Sequence, residues 1–317
     1  MSTRGSCAPQ VRRFATREER VAHWQVPEPR AVAEVELDDG ARVVLRRHGN
    51  PDGTRLVLSH GNGLAVDLYY PFWSLLASRF DLVLYDFRNH GWNEPGDVAE
   101  HSIATFVADN QAIARGIDRI FGPKPRVGVF HSMSATAALA DEHPGRGFAA
   151  LVLFDPPIYS PSADLLGVEA RWGRQSQGAR RRTPRFETTR ELADAIRNAP
   201  AFSRLLPGVP ELFAETTLRR QAGGGYELRC PAEYEARICE WALAYIVNPD
   251  PRDFACPVKV IRADPTLRSP FGSSLDLDAL DGLDCDFVSG ATHFLQLEKP
   301  EECTALMVEF LKRVGLA

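Results

Sequence analysis

The stretch VGVFHSMSATAAL, Val127 to Leu139, leaves this chain few folds to choose from. Arg126–Phe130 is an apolar run that ends sharply and predicts a β-strand. The chain then turns through His131, Ser132 and Met133 into a helix expected to run towards His143, where Pro144 stops it. Such a tight turn holds its middle side chain out of the sheet, at a helix N-terminus whose free N–H groups favour developing negative charge. Ser132 is therefore a candidate nucleophile and the Met133 N–H a candidate oxyanion donor. Strand and helix approach closely at an elbow of this kind, which asks for glycine on both flanks. Here the flanks are Phe130 and Ser134, a bulky replacement and a tolerable one. A serine that only caps a buried helix would read the same way, so its surroundings decide.

Those surroundings alternate between apolar strands and helical segments. AVAEVEL and ARVVLRR, separated by Asp38-Asp39-Gly40, predict a hairpin, because Asp-Gly is a strong turn signal. RLVLSH then runs into GNG, followed by PFWSLLASRF, DLVLYDF, FVADNQAIARGIDRIF, the elbow and AALVLFD. Alternation with short links predicts a doubly wound, mostly parallel sheet. It stops from Pro156 to Ala255 and resumes with PVKVIRA, CDFVSG and PEECTALMVEFLKRVG. The expected organisation is an N-terminal arm at 1–30, a core at 31–155 and 256–317, and a helical cap at 156–255 inserted after strand six. Within the cap, Thr188 and Glu191 suggest a capping box opening RELADAIRNA, and Pro210 and Pro231 are placed to start two further helices.

Composition narrows the partners. A net charge of -5 gives no reason to expect nucleic acid or an anionic membrane surface. Six cysteines without C-x-x-C pairs indicate neither a disulfide framework nor a zinc site, a usage that suits a cytoplasmic protein. No run approaches the roughly 20 apolar residues of a membrane helix. An arginine cluster, Arg174, Arg180, Arg181, Arg182 and Arg185, reads as a solvated loop or as an anion site. The cap aromatics Trp172, Phe186, Phe202, Phe213, Tyr234, Trp241 and Tyr245 read mostly as its core, with two or three lining a pocket for apolar substrates.

Two further motifs converge on Ser132. SHGNG, Ser59–Gly63, follows an apolar strand and can aim the Asn62 N–H at the elbow as a second oxyanion donor. GATHFLQLEKP places His293 between the last strand and the last helix, where an imidazole near neutral pKa could serve as general base. Of the other histidines, His23, His48, His101 and His143 lie among polar neighbours in sequence, and His60, His90 and His131 read as structural.

With these motifs in order, the chain from about Ala31 onward resembles the α/β-hydrolase superfamily. SHGNG is similar to its HG-x oxyanion turn, YDFRNHG to its D-x-R-G-H-G turn, FHSMS to its G-H-S-M-G elbow and ATHFLQLEKP to its catalytic-histidine loop. The cap text RRRTPRFETTRELADAIRN is similar to capped bacterial lipases, esterases and carbon–carbon hydrolases. The resemblance implies an eight-stranded α/β-hydrolase fold with Ser132 as nucleophile, His293 as base, and Asn62 and Met133 as the oxyanion hole. It implies a purely structural turn at Asp86 and Arg88, with Asn89 in place of the family's glycine. The triad acid stays open. The family's usual position, counted from Ala263, falls on Thr266, a neutral hydroxyl that cannot stabilise an imidazolium. Asp155 and Asp264 are the alternatives, then Asp276 or no acid at all. The expected activity is carboxylesterase-like serine hydrolysis of an apolar ester, with no cofactor and no metal and a homodimer left open. A carbon–carbon hydrolase, or a weakly active ligand-binding protein hinted at by Phe130 and Ser134, is the alternative.

Overall fold

The computed structural model describes residues 23–159, 164–242, 244, 250–267 and 282–317; the expected arm up to residue 22, Tyr245 and Asp276 lie outside them. The strands are β1 (Ala31–Glu36), β2 (Arg42–Gly49), β3 (Arg55–Leu58), β4 (Asp81–Tyr85), β5 (Arg126–His131), β6 (Ala150–Phe154), β7 (Arg185–Phe186), β8 (Leu218–Arg220), β9 (Tyr226–Leu228), β10 (Val258–Arg262) and β11 (Asp284–Phe287). The helices are α1 (Tyr70–Trp73), α2 (Ile103–Phe121), α3 (Met133–Leu139), α4 (Leu165–Arg180), α5 (Thr189–Asn198), α6 (Val209–Thr217), α7 (Ala232–Trp241), α8 (Leu295–Glu298) and α9 (Pro300–Arg313).

Eight strands form one sheet in the order β1-β2-β4-β3-β5-β6-β10-β11. The pairs β1–β2 and β2–β4 are antiparallel and the rest parallel. Composition accounts for the division. Strand β1 alternates exposed and buried residues, as an edge with one wet face must, and Gly40 at φ 86° closes its hairpin to β2. Every residue of β3, β4, β5, β6 and β10 is buried, as strands covered on both faces require. Along β5, Val127 and Val129 pack into the layer with Phe72, Trp73, Phe310 and Leu311, whereas Phe130 joins α2 and α3 on the other face.

The strand order fixes where a site can form. From β3 the chain crosses to β4 on one side, and from β5 it continues to β6 on the other. The crevice beyond the C-terminal ends of β3 and β5 is therefore the switch point of the sheet, where open α/β sheets bind ligands. The Ser59–Gly63 turn and the Ser132 elbow both leave the sheet there.

Several local expectations change. The inserted segment carries α4 to α7 but also a three-stranded antiparallel sheet, β7-β9-β8, so it is not purely helical. Its strands are two or three residues long, too short to show a period of two. Thr188 makes no side-chain cap to α5; the Glu191 carboxylate instead accepts the Glu187 N–H at 3.2 Å. Pro210 and Pro231 do stand at the starts of α6 and α7. Helix α3 ends at Leu139, short of His143, because the Asp141 carboxylate takes the His143 N–H at 2.9 Å and turns the chain. His48 and His101, expected in polar surroundings, are buried, His48 against the Trp73 ring and His101 stacked on His90. No helix among the described residues is long and apolar enough to cross a membrane.

Candidate active site

Ser132 sits at φ 51° between β5 and α3, its N–H bonded to the Phe154 carbonyl at 3.0 Å. Only three non-glycine residues have positive φ among the described residues, Asn89, Ser132 and Asp155, and two of them meet at one imidazole. His293 Nε2 lies 3.0 Å from Ser132 Oγ, and His293 Nδ1 lies 2.7 Å from Asp155 Oδ2. The other Asp155 oxygen accepts the Ala263 N–H at 3.0 Å. Burial alone would raise the Asp155 carboxyl. The hydrogen bond and charge of His293, with the Ala263 N–H, outweigh it and hold the group below the ordinary carboxylate value.

Asp264 is engaged elsewhere. Its oxygens accept the Thr266 N–H at 2.9 Å, the Thr266 hydroxyl at 2.6 Å and the Gly290 N–H at 2.8 Å, so it caps a turn and makes no bond to His293. Thr266 is the donor that orients it. The loop carrying His293 is pinned by Glu298, whose buried carboxylate accepts the Thr292 N–H at 2.6 Å and pairs with the Thr292 hydroxyl.

The two altered elbow positions have packing explanations. The Phe130 ring lies over Gly128, two residues back on the same face of β5, where an added Cβ would meet its Cε2 at 2.5 Å and Leu151 Cδ2 at 2.7 Å. The glycine the elbow lacks is supplied one strand repeat earlier. Ser134 closes the turn itself: its Oγ accepts the His131 N–H at 2.8 Å and donates to the His131 carbonyl at 2.9 Å. Gly128→Ala is accordingly expected to destabilise the protein by about 1–3 kcal/mol, the usual cost of overpacking. Urea denaturation checks this, and a loss under roughly 0.5 kcal/mol would show that the ring is not confined.

Asn62 and Met133 both line the cavity beside Ser132, and their backbone N–H groups have no hydrogen-bond acceptor among the described residues. The turn carrying Asn62 is fastened from below. Gly61 N–H donates to the Tyr69 hydroxyl at 3.2 Å, Tyr69 lies 2.7 Å from His131 Nδ1, and His131 Nε2 lies 2.8 Å from the His293 carbonyl. A carbonyl only accepts, so His131 carries its proton on Nε2 and receives the Tyr69 hydroxyl on Nδ1. One buried chain thus ties the Asn62 turn to the backbone of His293. Tyr69 is not among the residues the sequence singles out, since nothing in LYYPFW marks one tyrosine as buried.

His60 and His90 have structural roles of the same kind. His60 Nε2 accepts the Phe87 N–H at 3.1 Å and His90 Nε2 the Gly63 N–H at 3.2 Å. Asp86 binds Arg46 and the Val66 N–H at 2.7 Å each, and Arg88 pairs with Asp109 at 2.6 Å. Asn89, at φ 65°, uses its amide to join His101 and Gly96.

Above Ser132 is a cavity of about 1350 Å³. Trp172, Phe186, Phe202 and Phe213 line it, while Tyr234 and Trp241 do not. The arginine cluster does not converge on one site: Arg174 and Arg182 reach the cavity, and Arg180 pairs with Glu233 and Glu240 outside it.

The alpha/beta hydrolase family matches residues 56–306. Among solved structures, E-2-(acetamidomethylene)succinate hydrolase superposes with a TM-score of 0.71 at 19% identity, covering 89% of this chain and 99% of that one. The enol-lactonase from Burkholderia xenovorans LB400 gives 0.63 at 19% identity, covering 88% and 100%. The thioesterase domain from the curacin biosynthetic pathway gives 0.66 at 19%, covering 88% and 99%. Of curated proteins, the "Probable oxidoreductase EphD" of Mycobacterium tuberculosis is 36% identical over 80 residues, which span 25% of this chain and only 14% of that protein.

Proposed function

The chain belongs to the alpha/beta hydrolase family, and from that premise we propose that it is a serine hydrolase of a carboxylic ester or related acyl compound with an apolar body. The observation that carries the reading is the pair of contacts at His293, 3.0 Å to Ser132 Oγ and 2.7 Å to Asp155. In this reading Asp155 fixes His293 with its proton on Nδ1, leaving Nε2 free to accept from Ser132. As Ser132 Oγ bonds to the acyl carbon, its proton passes to Nε2, and the carbonyl π electrons move to oxygen. The N–H groups of Asn62 and Met133 stabilise that oxyanion. Collapse expels the alcohol, which takes the proton from His293, and water repeats the sequence on the acyl-enzyme. The chain's own residues suffice for every step.

The apolar walls of the cavity support an acyl group larger than acetate. The packing of Phe130 on Gly128 and the hydrogen bonds of Ser134 accommodate both altered positions within the elbow, which supports the catalytic reading over a non-catalytic binding protein. The test is a p-nitrophenyl ester series from acetate to decanoate, together with an organophosphonate. We expect turnover with a chain-length optimum beyond acetate, and stoichiometric phosphonylation of Ser132. The absence of both turnover and labelling would overturn the proposal. Turnover confined to a vinylogous diketone would replace it with carbon–carbon hydrolysis by the same residues.

A further inference from the structure

Helix α4 presents Arg171, Arg174 and Gln175 to the cavity, three and four residues apart on one face. The opposite face of α4 sends Arg180 to Glu233 and Glu240, so the helix sorts its cations between two environments. The carboxylates on the cavity wall are Asp155, Asp264 and Glu235, and each is already engaged. Asp155 faces His293, Asp264 accepts from Thr266 and Gly290, and Glu235 pairs with Arg182. Arg174 has no acidic partner among the described residues. Arg174 is exposed at the cavity wall, so its guanidinium stands in water within reach of whatever enters, and an apolar ligand would leave that charge unused.

The placement of α4 relative to Ser132 is set by α7, against which it packs. Asn62 Nδ2 donates to the Glu235 carbonyl of α7 at 2.8 Å, and the Glu235 side chain packs against Gly63. Contacts thus link the Asn62 turn to α7 and α7 to α4, and the Trp172 indole of α4 donates to the Tyr159 hydroxyl at 3.0 Å. We propose, on the reading of the chain as a serine hydrolase, that its substrate carries a carboxylate at the end away from the scissile acyl group. Arg174 binds that carboxylate, with Arg171 one turn away adding positive potential. The apolar walls take the chain between the two ends, and Arg182 serves the protein by holding Glu235. A guanidinium meets a carboxylate through paired charged hydrogen bonds, which an uncharged ester cannot return.

The test is equilibrium binding, by calorimetry, of the monomethyl and dimethyl esters of adipic acid to the Ser132→Ala protein, where turnover cannot consume them. The anionic monoester is expected to bind at least about ten-fold more tightly than the neutral diester, as one charged hydrogen-bonded contact provides. That advantage should fall in Arg174→Gln and vanish in Arg171→Gln/Arg174→Gln, with thermal melts confirming that the variants are folded. Equal affinities, no detectable binding of the monoester, or an advantage that survives in the double variant would overturn the proposal. Wild-type turnover of p-nitrophenyl acetate is measured separately. Its absence would count against the hydrolase reading alone, and a missing charge preference against the carboxylate site alone.

Discussion

Ser132→Ala is expected to lower kcat on the best p-nitrophenyl ester by about 10⁵–10⁶-fold, the scale on which other serine triads fail when the nucleophile is removed. Asp155→Asn should lower it by about 10⁴-fold, and the reason lies in hydrogen-bond polarity. One Asp155 oxygen accepts the Ala263 N–H and the other faces His293 Nδ1. In the asparagine variant the amide oxygen must stay with Ala263, so the NH₂ group points at Nδ1. Nδ1 then has to accept, the imidazole proton moves to Nε2, and a protonated Nε2 cannot take the Ser132 proton. Geometry survives while the tautomer is wrong. Asp264→Asn should leave kcat on the wild-type scale, because Asp264 faces Thr266 and Gly290 rather than the imidazole. Steady-state kinetics on the three variants decides the matter. A large loss in Asp264→Asn with little change in Asp155→Asn would reverse the assignment of the acid.

The choice between those aspartates shows where sequence stops. Strands β6 and β10 stand on either side of the whole inserted segment in the chain, yet they pair directly, with Ile261 opposite Phe154. Because of that pairing, Asp155 and Asp264 leave the sheet side by side, and each directly precedes a proline. Local sequence offers both the same context. Only the bonds that each carboxylate makes beyond its own loop separate them, and those bonds are non-local.

The same division runs through the rest of the molecule. The alternating strands and helices, the Asp-Gly hairpin and the four motif turns are legible because each is encoded within a few residues. The room for Phe130 is legible only in principle, as a glycine two positions earlier on a strand whose faces alternate. The cap strands are too short for periodicity, and burial of His48 and His101 depends on Trp73, His90 and Phe106, all distant or unmarked in sequence. Arg171 carries no signal of its own, because a lone arginine on a helix is ordinary until the cavity beside it is known.

Acidification is expected to unfold this protein through its buried histidines. His60, His90, His101 and His131 are all buried, and each has a ring nitrogen that already accepts a hydrogen bond. The donors are the Phe87 N–H, the Gly63 N–H, the Asn89 amide and the Tyr69 hydroxyl respectively. Adding a proton would set donor against donor, and would also place charges on the neighbouring rings of His60, His90 and His101. Burial is the largest cause of the resulting shifts: it pushes His101 and His131 down to about 3 and His90 well below its ordinary value. For His60, the nearby Asp86 charge opposes the shift without reversing it. In the unfolded chain these groups titrate at about pH 6.5. Below that pH the unfolded state binds more protons than the folded one, so stability is full well above about pH 6.5 and falls as pH drops towards the folded values.

Each such histidine contributes a limiting slope of about 1.4 kcal/mol per pH unit. His90, His101 and His131 together approach about 4 kcal/mol per unit, against a total stability of roughly 5–15 kcal/mol for a folded domain. Urea denaturation should therefore show a near-plateau from about pH 8 to 7 and a loss of about 3 kcal/mol between about pH 6.5 and 5.5, steepening below. A stability that stayed level down to about pH 5 would mean that these rings accept protons in the folded state, and that the hydrogen-bond directions assigned to them are wrong. Because His90 and His131 fasten the turn that carries Asn62, activity lost through this route should return at the rate of refolding and not at that of proton transfer.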